Sequence, residues 1–326
     1  MTAPEPNPPR VTALVVTFNR LAELKKTVAR LLDSANLAHV LVVDNASSDG
    51  TAEWLRTHGD ERLEVLSLPR NVGGAGGFEA GMRHVHDAGT ADWVLLMDDD
   101  ARPYPGAIAT FLDRPRNSHG AWVAAVYQPD GTVCEMNRPL INPFASLGGF
   151  LRSLVAGRDG YHIQDEGYAA TEPRDVDGGS FVGLFVSRTA IERTGFPDGS
   201  LFIYGDDALY SLAMCEAGVR IAFDPGLKFE HAVGSEMGQH PIRPLWKVYY
   251  MYRNQLMVYR AAAGPVLFWP VCLIKTLGWK RRAQRYGAAR ETYRSLVRRA
   301  VRDGIARRTD ASFDEVRSWA TEPPRS

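Results

Sequence analysis

The stretch WVLLMDDDA at residues 93–101 joins a run of five apolar residues to three consecutive aspartates. A short apolar run of this kind predicts a strand that is buried on both faces of a sheet. Three earlier stretches have the same form: VTALVVT at 11–17, VLVV at 40–43 and LEVLSL at 63–68. The chain therefore begins with four predicted strands, and the aspartates follow the fourth.

Helical patterns lie between these strands. Apolar residues recur at helical spacing over 21–32, and the segments 51–57 and 77–88 also favour a helix. Strands that alternate with helices at this spacing predict a parallel sheet with crossover helices. The fold class is therefore α/β, with a Rossmann-like, mostly parallel sheet flanked by helices.

Polar side chains stand where each of the four strands ends. They are Thr17 and Asn19, Asp44 and Asn45, Arg70 and Asn71, and the aspartates Asp98, Asp99 and Asp100. Ligands of open parallel sheets bind outside the carboxyl ends of the strands. We therefore expect these side chains to converge on one ligand-binding crevice.

The three aspartates predict a metal site. Adjacent carboxylates repel one another, and a hard divalent cation such as Mn²⁺ or Mg²⁺ relieves that repulsion while binding substrate phosphates. Residues two apart in an extended stretch point to the same side, so Asp98 and Asp100 can share one cation while Asp99 turns away. The alternative is a solvated acidic turn, which the apolar run before it disfavours.

The second and third strand ends predict a nucleotide pocket. Asp44 can accept a hydrogen bond from a ring N–H of a base, although the residues after it could also cap the next helix. Arg70, Asn71 and the glycines around Gly74 place a cation and a flexible backbone beside the crevice. The glycines match neither a dinucleotide fingerprint nor a P-loop.

Two further sites lie later in the chain. Asp206 and Asp207 begin a predicted helix, where they either complement the helix dipole or supply a general base. His231 follows a predicted strand and opens a loop at 233–235. It is either a structural histidine or a third ligand of the metal bound by Asp98 and Asp100.

The remaining pattern is less regular. We expect antiparallel strands and loops over 121–150, a mobile surface segment at 151–177 and a strand at 178–186. A helix is expected at 206–217 and a short strand at 220–223. Residues 1–10 are proline-rich and polar, so a disordered tail without a signal peptide is expected.

Charge divides the chain. Residues 236–326 hold 18 Lys/Arg against 7 Asp/Glu, whereas 1–235 hold 20 against 31. The basic part therefore faces something anionic. Its apolar run 266–277 is shorter than the roughly 20 residues of a transmembrane helix. With the flanking tryptophans and arginines it is similar to an interfacial membrane segment, the alternative being an amphipathic helix packed on the N-terminal part of the chain.

These observations predict partners and a location. We expect peripheral membrane contact through residues 264–308 and no nucleic-acid partner, since the sequence has no reader helix or basic-aromatic sheet motif. The three cysteines are widely separated, which argues against a disulfide framework or a zinc site. We therefore expect a cytoplasmic protein, bound peripherally at the inner face of the cell membrane.

The motif series resembles the family 2 inverting glycosyltransferases of the GT-A fold over residues 11 to about 235. The matching segments are TFNR at 17–20, VVDNASSDGT at 42–51, RNVGG at 70–74, MDDDA at 97–101, GDD at 205–207 and His231. The resemblance implies domains at 11–235 (catalytic) and 236–326 (a helical basic extension). It also implies transfer of a sugar from a nucleotide-diphosphate donor to a hydroxyl of a glycan or polyprenyl-linked acceptor.

The resemblance also assigns residues. It implies that Asp207 is the catalytic base, with Asp206 standing where the family more often has Glu. It implies that Asp98, Asp100 and His231 hold the metal. The implied donor-binding residues are Thr17, Asn19, Asp44, Arg70, Asn71, Gly74, Asp98 and Asp99.

Two segments narrow the subgroup. NVGGAGGF at 71–78 together with three aspartates looks like the galactofuranosyltransferases, and YYMYRN at 249–254 is similar to a segment of rhamnosyl- and galactofuranosyltransferases. UDP-galactofuranose or dTDP-rhamnose is therefore the favoured donor. The alternatives are a nucleotidyltransferase, which should carry a basic glycine-rich loop after the first strand, and a non-catalytic nucleotide-sugar-binding protein.

Overall fold

The computed structural model describes residues 9–232 and 241–321. The predicted tail lies outside these residues except for its last two positions, and the predicted loop at 233–235 lies outside them altogether. The strands are β1 (Val11–Thr17), β2 (His39–Asp44), β3 (Leu63–Ser67), β4 (Trp93–Asp98), β5 (Ala101–Pro103), β6 (Ala121–Tyr127), β7 (Arg174–Val176), β8 (Leu184–Ser187) and β9 (Ile221–His231). The helices are α1 (Leu21–Leu32), α2 (Thr51–Thr57), α3 (Gly73–Ala88), α4 (Ala107–Asp113), α5 (Leu147–Ala156), α6 (Asp165–Tyr168), α7 (Arg188–Thr194), α8 (Asp206–Glu216), α9 (Lys247–Arg282), α10 (Arg290–Ala306) and α11 (Phe313–Thr321).

One mixed sheet runs through the protein in the order β3-β2-β1-β4-β8-β6-β9-β5, with β7 paired to β9. The first four strands are parallel to one another, as their alternation with helices predicts. Strand β8 runs antiparallel to both β4 and β6. The expected α/β sheet flanked by helices is thus confirmed.

The central strand β1 is buried on both faces, which explains its unbroken apolar sequence. Alternate side chains of a strand point to opposite faces. Val11, Ala13 and Val15 pack in a layer with α1 and α4, whereas Leu14 and Val16 pack with α3, α7 and α8. Burying a side chain of this size stabilises the fold by about 1.5–3 kcal/mol.

Helix α3 begins at Gly73, four residues before the predicted start at 77. Its glycines serve close packing, because a Cβ at Gly77 would lie 2.5 Å from Val16 and one at Gly81 would lie 2.3 Å from Leu14. Each glycine in a helix costs about 1 kcal/mol relative to alanine, so the sequence hides the first turn of this helix.

Other elements also differ from the expectation. Of the strand expected at 178–186, only the last residues form a strand, β8. The segment 151–177 contains the second half of α5 and the whole of α6 and β7. Strand β9 is 11 residues long, although its Pro225-Gly226 pair is typical of a turn. The pair fits because the pairing of β9 with β6 shifts register there, between Ala124 and Ala125. Residues 121–150 contain one strand, β6, which runs antiparallel to β8 and parallel to β9, so the expected antiparallel arrangement is found in part.

The C-terminal part is helical, as expected. Helix α9 contains the apolar run 266–277 and is interrupted just before it at Gly264 (φ 68°, ψ 179°). Helix α10 packs on α9 through an aromatic cluster in which Tyr252 stacks on Trp279. The boundary between domains at 235 stays a prediction.

Candidate active site

A cavity of about 610 Å³ opens at the carboxyl ends of β1 and β4. Helices α3 and α8 and the start of α9 enclose it. Eight residues that the sequence assigned to a site line this cavity: Thr17, Asn71, Gly74, Asp98, Asp99, Asp206, Asp207 and His231. The structure therefore brings both halves of the predicted site together.

A cluster of three potential metal ligands stands at one side of the cavity. One ligand atom each of Asp98, Asp100 and His231 lies within 4.8 Å of the others. Asp98 ends β4, and His231 ends β9, whose partner strand β5 begins directly after the aspartates. Two carboxylates and one imidazole form a donor set that suits Mn²⁺ and is acceptable to Mg²⁺.

A neighbouring amide orients His231. Nδ1 of His231 lies 2.8 Å from Oδ1 of Asn137, and Nδ2 of Asn137 donates to Ser180. Oδ1 therefore accepts from Nδ1–H, which turns Nε2 toward the cluster, where it could bind a metal ion in place of a proton. Sequence reasoning missed Asn137, because 94 residues separate it from His231.

Asp100 has an oxygen that is suited to a cation. Its Oδ1 is buried and lies 3.2 Å from Nε2 of His231, yet it has no hydrogen-bond partner among the described residues. Its Oδ2 pairs with Arg20 at 2.8 Å. A buried carboxylate oxygen without a donor is costly, and a metal ion at the cluster would satisfy it. The residues present therefore fit a divalent cation.

Asp99 points away from this cluster. It accepts hydrogen bonds from Thr17 Oγ1 at 2.7 Å and from Arg20 at 3.3 Å. This geometry agrees with the expectation that alternate aspartates face opposite sides. Arg20 is the last residue of the TFNR motif, so the sequence pointed to it, but the sequence analysis assigned it no role.

The electrostatics of the aspartates reflect their burial. Burial, together with the neighbouring carboxylates, raises the pKa of Asp98 to about 7, and burial raises the pKa of Asp99 to about 6. Burial opposes protonation of His231, but its carboxylate neighbours outweigh that effect and raise its pKa to about 10. The raised pKa values of Asp98 and Asp99 reflect burial and carboxylate repulsion, which a bound cation would offset.

The second carboxylate pair lines the same cavity. Asp206 and Asp207 begin α8 after Gly205, which adopts a left-handed conformation. Burial is the main cause that raises the pKa of both, that of Asp206 to about 8, with further contributions from Asp207 and Asp98. A raised pKa strengthens a carboxylate as a proton acceptor.

The loop before this pair has unusual backbone geometry. Phe202 (φ 69°) and Tyr204 (φ 70°) are non-glycine residues in the left-handed region. Such conformations cost about 1–3 kcal/mol each and persist only where the surroundings enforce them. The loop also touches the donor side, because Phe202 O would lie 2.0 Å from a Cβ at Gly73.

Two buried residues of α9 enforce this conformation. Asn254 donates to the carbonyls of Leu201, Ile203 and Tyr204 at 3.1, 2.9 and 2.8 Å. Arg253 donates to Leu201 O at 2.8 Å and to Asn254 Oδ1 at 2.7 Å. These are the last two residues of YYMYRN, a segment that the sequence singled out without a structural role.

The predicted nucleotide-side residues are distributed unequally. Asp44 is buried and accepts from Ser47 N at 2.9 Å, and Asn19 Oδ1 accepts from Ser48 N at 2.7 Å, so both brace the loop before α2. Asn71 accepts from Gly73 N at 2.8 Å. Arg70 is exposed, and neither it nor Asn19, Asp44 or Asp100 is among the residues that line the cavity.

Comparison with known proteins places the chain. Residues 12–169 match the family described as "Glycosyl transferase family 2". The galactofuranosyltransferase GlfT1 of Mycobacterium tuberculosis is 30% identical over 258 residues, covering 75% of this chain and 80% of the relative. The dTDP-rhamnosyl transferase RfbF of Shigella flexneri is 22% identical over 266 residues, covering 79% and 82%.

Two solved structures share the fold. One is GalNAc-T7 with UDP, GalNAc and Mn²⁺ (TM-score 0.56, 13% identity), and the match covers 98% of this chain and 60% of that one. The other is the mannosyltransferase PcManGT of Pyrobaculum calidifontis with GDP-Man and Mn²⁺ (TM-score 0.52, 20% identity), with coverage of 98% and 81%. These similarities, the fold and the motif series lead to one conclusion: the chain is a glycosyltransferase and belongs to family 2.

Proposed function

We propose that this enzyme transfers a sugar with inversion from UDP-galactofuranose or dTDP-rhamnose to a hydroxyl of a glycan or lipid-linked acceptor. One observation carries the proposal: two of the three potential metal ligands, Asp98 and His231, line the same cavity as the Asp206–Asp207 pair. In such a transfer the metal holds the diphosphate of the donor and the base activates the acceptor hydroxyl. Both groups must lie next to the anomeric carbon, so the metal site and the base must be close together. The names of the relatives favour these two donors.

In this proposal Asp98, Asp100 and His231 hold Mn²⁺ or Mg²⁺. The bound ion would supply a Lewis acid that stabilises the negative charge developing on the leaving diphosphate. Arg20 and Lys247 add cations near the same place, since Lys247 lines the cavity and Arg20 pairs with Asp100. The predicted donor-binding residues keep their proposed roles, although Asn19, Asp44 and Arg70 would act from the rim.

Asp207 is the proposed base. It lines the cavity at the start of α8, and its Oδ1 accepts from Ala208 N at 2.7 Å, which fixes the carboxylate. It would take the proton of the acceptor hydroxyl as that oxygen attacks the anomeric carbon and the nucleoside diphosphate departs. Asp206, beside it, would keep the pKa of the pair raised.

We also propose that the catalytic unit is 11–235 and that the extension 236–326 contacts a membrane through residues 264–308. After Gly264, α9 exposes Val266, Trp269 and Leu273 by 78%, 56% and 62%. Its length and composition would also permit a membrane crossing. The burial of Phe268 and Trp279 against the rest of the protein favours a helix that lies on the surface instead.

The cytoplasmic location stays part of the proposal. It is supported by three free cysteines, Cys134, Cys215 and Cys272, which fit a reducing compartment. Contact at the inner face of the membrane would place the enzyme where a lipid-linked acceptor resides.

A donor panel tests the proposed reaction. Release of nucleoside diphosphate is measured with Mn²⁺ for UDP-galactofuranose, dTDP-rhamnose and UDP-hexopyranoses, and the same donors are repeated with Mg²⁺ and with EDTA. We expect release from one of the first two donors, abolished by EDTA. Turnover confined to a hexopyranose would reject the donor assignment, and full turnover in EDTA would reject the metal.

A further inference from the structure

A second cavity adjoins the catalytic one. It is a groove of about 680 Å³ between α5, α8 and α9, within the usual range of about 300–1,000 Å³ for small-molecule sites. Its wall is mostly apolar, with Phe144, Phe150, Leu212, Val258 and Val271 among the lining side chains. We call this cavity the α5–α9 groove.

The inner end of the α5–α9 groove reaches the active site. Tyr204 and Gly205 line both the groove and the catalytic cavity. These two residues directly precede Asp206 and Asp207, and Ala208 of the same turn lines the groove. A molecule in the groove therefore has one end beside the proposed base.

The two helices that flank the α5–α9 groove also carry exposed apolar side chains. On α5, Leu147, Leu151 and Val155 are exposed by 75%, 52% and 91%, and their spacing of four residues puts them on one helix face. Across the groove, Ile274 of α9 is exposed by 66% and also lines the groove. Large apolar side chains exposed on two adjacent helices are uncommon on a monomeric soluble protein unless they meet a partner.

The charges around this surface indicate which partner fits. Residues 261–290 contain no Asp or Glu. Lys275 lines the groove, and Lys280, Arg281 and Arg285 are exposed further along the chain. Apolar side chains flanked by cations fit the surface of an anionic bilayer.

We propose that the α5–α9 groove binds the hydrocarbon chain of a membrane-resident amphiphilic acceptor and delivers its polar head past Tyr204 to Asp207. This inference rests on the proposed function and narrows it, because it selects a lipid-linked acceptor over a free glycan. It also adds α5 to the membrane-facing surface, which the sequence confined to residues 264–308.

The test measures chain binding directly, with the full-length protein and without turnover. The probe is a polyprenyl phosphate with a photoreactive diazirine near the end of its chain, in mixed phosphatidylcholine and phosphatidylglycerol vesicles. After irradiation, cross-linked peptides are mapped by mass spectrometry. We expect cross-links on α5 and on α9 after Gly264, and competition by unlabelled polyprenyl phosphate.

Two neighbouring substitutions give a matched pair. Ala262→Trp fills the α5–α9 groove, because Ala262 lines it, whereas Ala261→Trp places the same ring at an exposed position outside the lining. Cross-linking should fall about tenfold or more in the first variant, which corresponds to about 1.4 kcal/mol of binding, and stay unchanged in the second. Binding of UDP with Mn²⁺ should be normal in both.

Three outcomes would overturn the groove assignment. They are equal cross-linking in the two variants, cross-links that map elsewhere, and a stable dimer that buries Leu151 and Ile274. Failure of the wild-type chain to bind either UDP or dTDP with Mn²⁺ would count instead against the proposed function, so the two ideas fail separately.

Discussion

At the scale of single residues, Asp98, Asp99 and Asp100 are neighbours in sequence that meet different surroundings. Asp98 and Asp100 join His231, whereas Asp99 is bound by Thr17 and Arg20. The sequence predicted that Asp98 and Asp100 share one side, although β4 ends at Asp98 and a turn, not an extended stretch, carries the other two aspartates. It could not predict Asn137, which orients His231 from a turn that is distant in the chain.

The division of the aspartates leads to a prediction about metal binding. Asp100→Ala should abolish Mn²⁺ binding, measured by electron paramagnetic resonance, and added Mn²⁺ or Mg²⁺ should not restore activity. Asp99→Asn removes an adjacent carboxylate that faces away and should retain Mn²⁺ binding. An equal loss of Mn²⁺ binding in both variants would mean that the ion does not depend specifically on the cluster of Asp98, Asp100 and His231.

The proposed base makes a second prediction. Asp207→Asn should lower kcat by about 10²–10⁴-fold while UDP binding stays unchanged, because the amide cannot accept the proton. Asp113→Asn, at the exposed end of α4, is the matched control and should have wild-type turnover. Normal turnover by the Asp207 variant would remove it from the mechanism.

Asp206 gives a prediction about stability and pH. Its pKa is raised from 3.8 to about 8, chiefly by burial, so the folded chain holds a proton that the unfolded chain releases. The stability due to this proton is fully present below pH 3.8 and is lost as pH rises through about 8.

The Asp206→Asn variant measures that contribution. Between these pH values, in EDTA, the Tm of the wild type should fall more steeply with pH than the Tm of the variant. Asp113→Asn should follow the wild type. Parallel curves for the wild type and Asp206→Asn would show that the carboxyl titrates normally in the folded chain.

At the scale of elements, local patterns predicted those parts of the fold whose causes are local. The apolar runs of β1 and β4 are buried strands as expected, because burial on both faces requires such runs. The first turn of α3 was missed, because Gly73, Gly74 and Gly76 have low helix propensity, and a Cβ at Gly73 or Gly76 would overlap Phe202 or Val72. Strand β9 was cut short, because Pro225-Gly226 is accommodated by a register shift that only the partner strand reveals.

The link between α9 and the loop before α8 carries a prediction at this scale. Asn254→Ala removes the side-chain donor of the Ile203 and Tyr204 carbonyls, whereas Leu201 O keeps its bond from Arg253, and a lost buried hydrogen bond costs about 1–3 kcal/mol. We expect a lower Tm and, in the fraction that stays folded, a kcat that falls at least about tenfold with little change in the KM for the donor.

The control is Asn117→Ala, at an exposed turn, which should change neither quantity. A lower Tm with an unaltered kcat would mean that Asn254 supports the fold without positioning the carboxylate pair. A higher KM for the donor with an unchanged kcat would mean that Asn254 supports donor binding instead.

At the scale of the whole molecule, the C-terminal helices are part of the active site. Trp246, Lys247 and Phe313 line the catalytic cavity, and Phe202 stacks between Tyr250 and Phe313. Charge composition predicted a basic helical extension, and its division from the rest of the chain stays a prediction. It could not show this contact, because the partners lie about fifty to a hundred residues apart in sequence.

Membrane contact is tested with the whole chain for the same reason, since truncation at 260 would expose the aromatic cluster between α9 and α10. Full-length protein should float with anionic vesicles and less so at high salt. Leu273→Asp combined with Leu151→Asp should abolish flotation, because both residues are exposed apolar positions.

The control for flotation is a double variant that adds the same charge elsewhere on the surface. Thr90→Asp and Asn117→Asp add the same negative charge at exposed turns and should leave flotation intact. Flotation that persists after the leucine substitutions would assign membrane binding to another surface.

The contact between Gly73 and Phe202 has a consequence for reading related sequences. A side chain at position 73 would overlap the Phe202 carbonyl and would also need a positive φ of 77°. The glycine and the following loop are therefore compatible only as a pair. A homologue with any other residue at this position needs a different conformation of the loop that contains Phe202. That single column of an alignment therefore separates enzymes with this loop conformation from those with another.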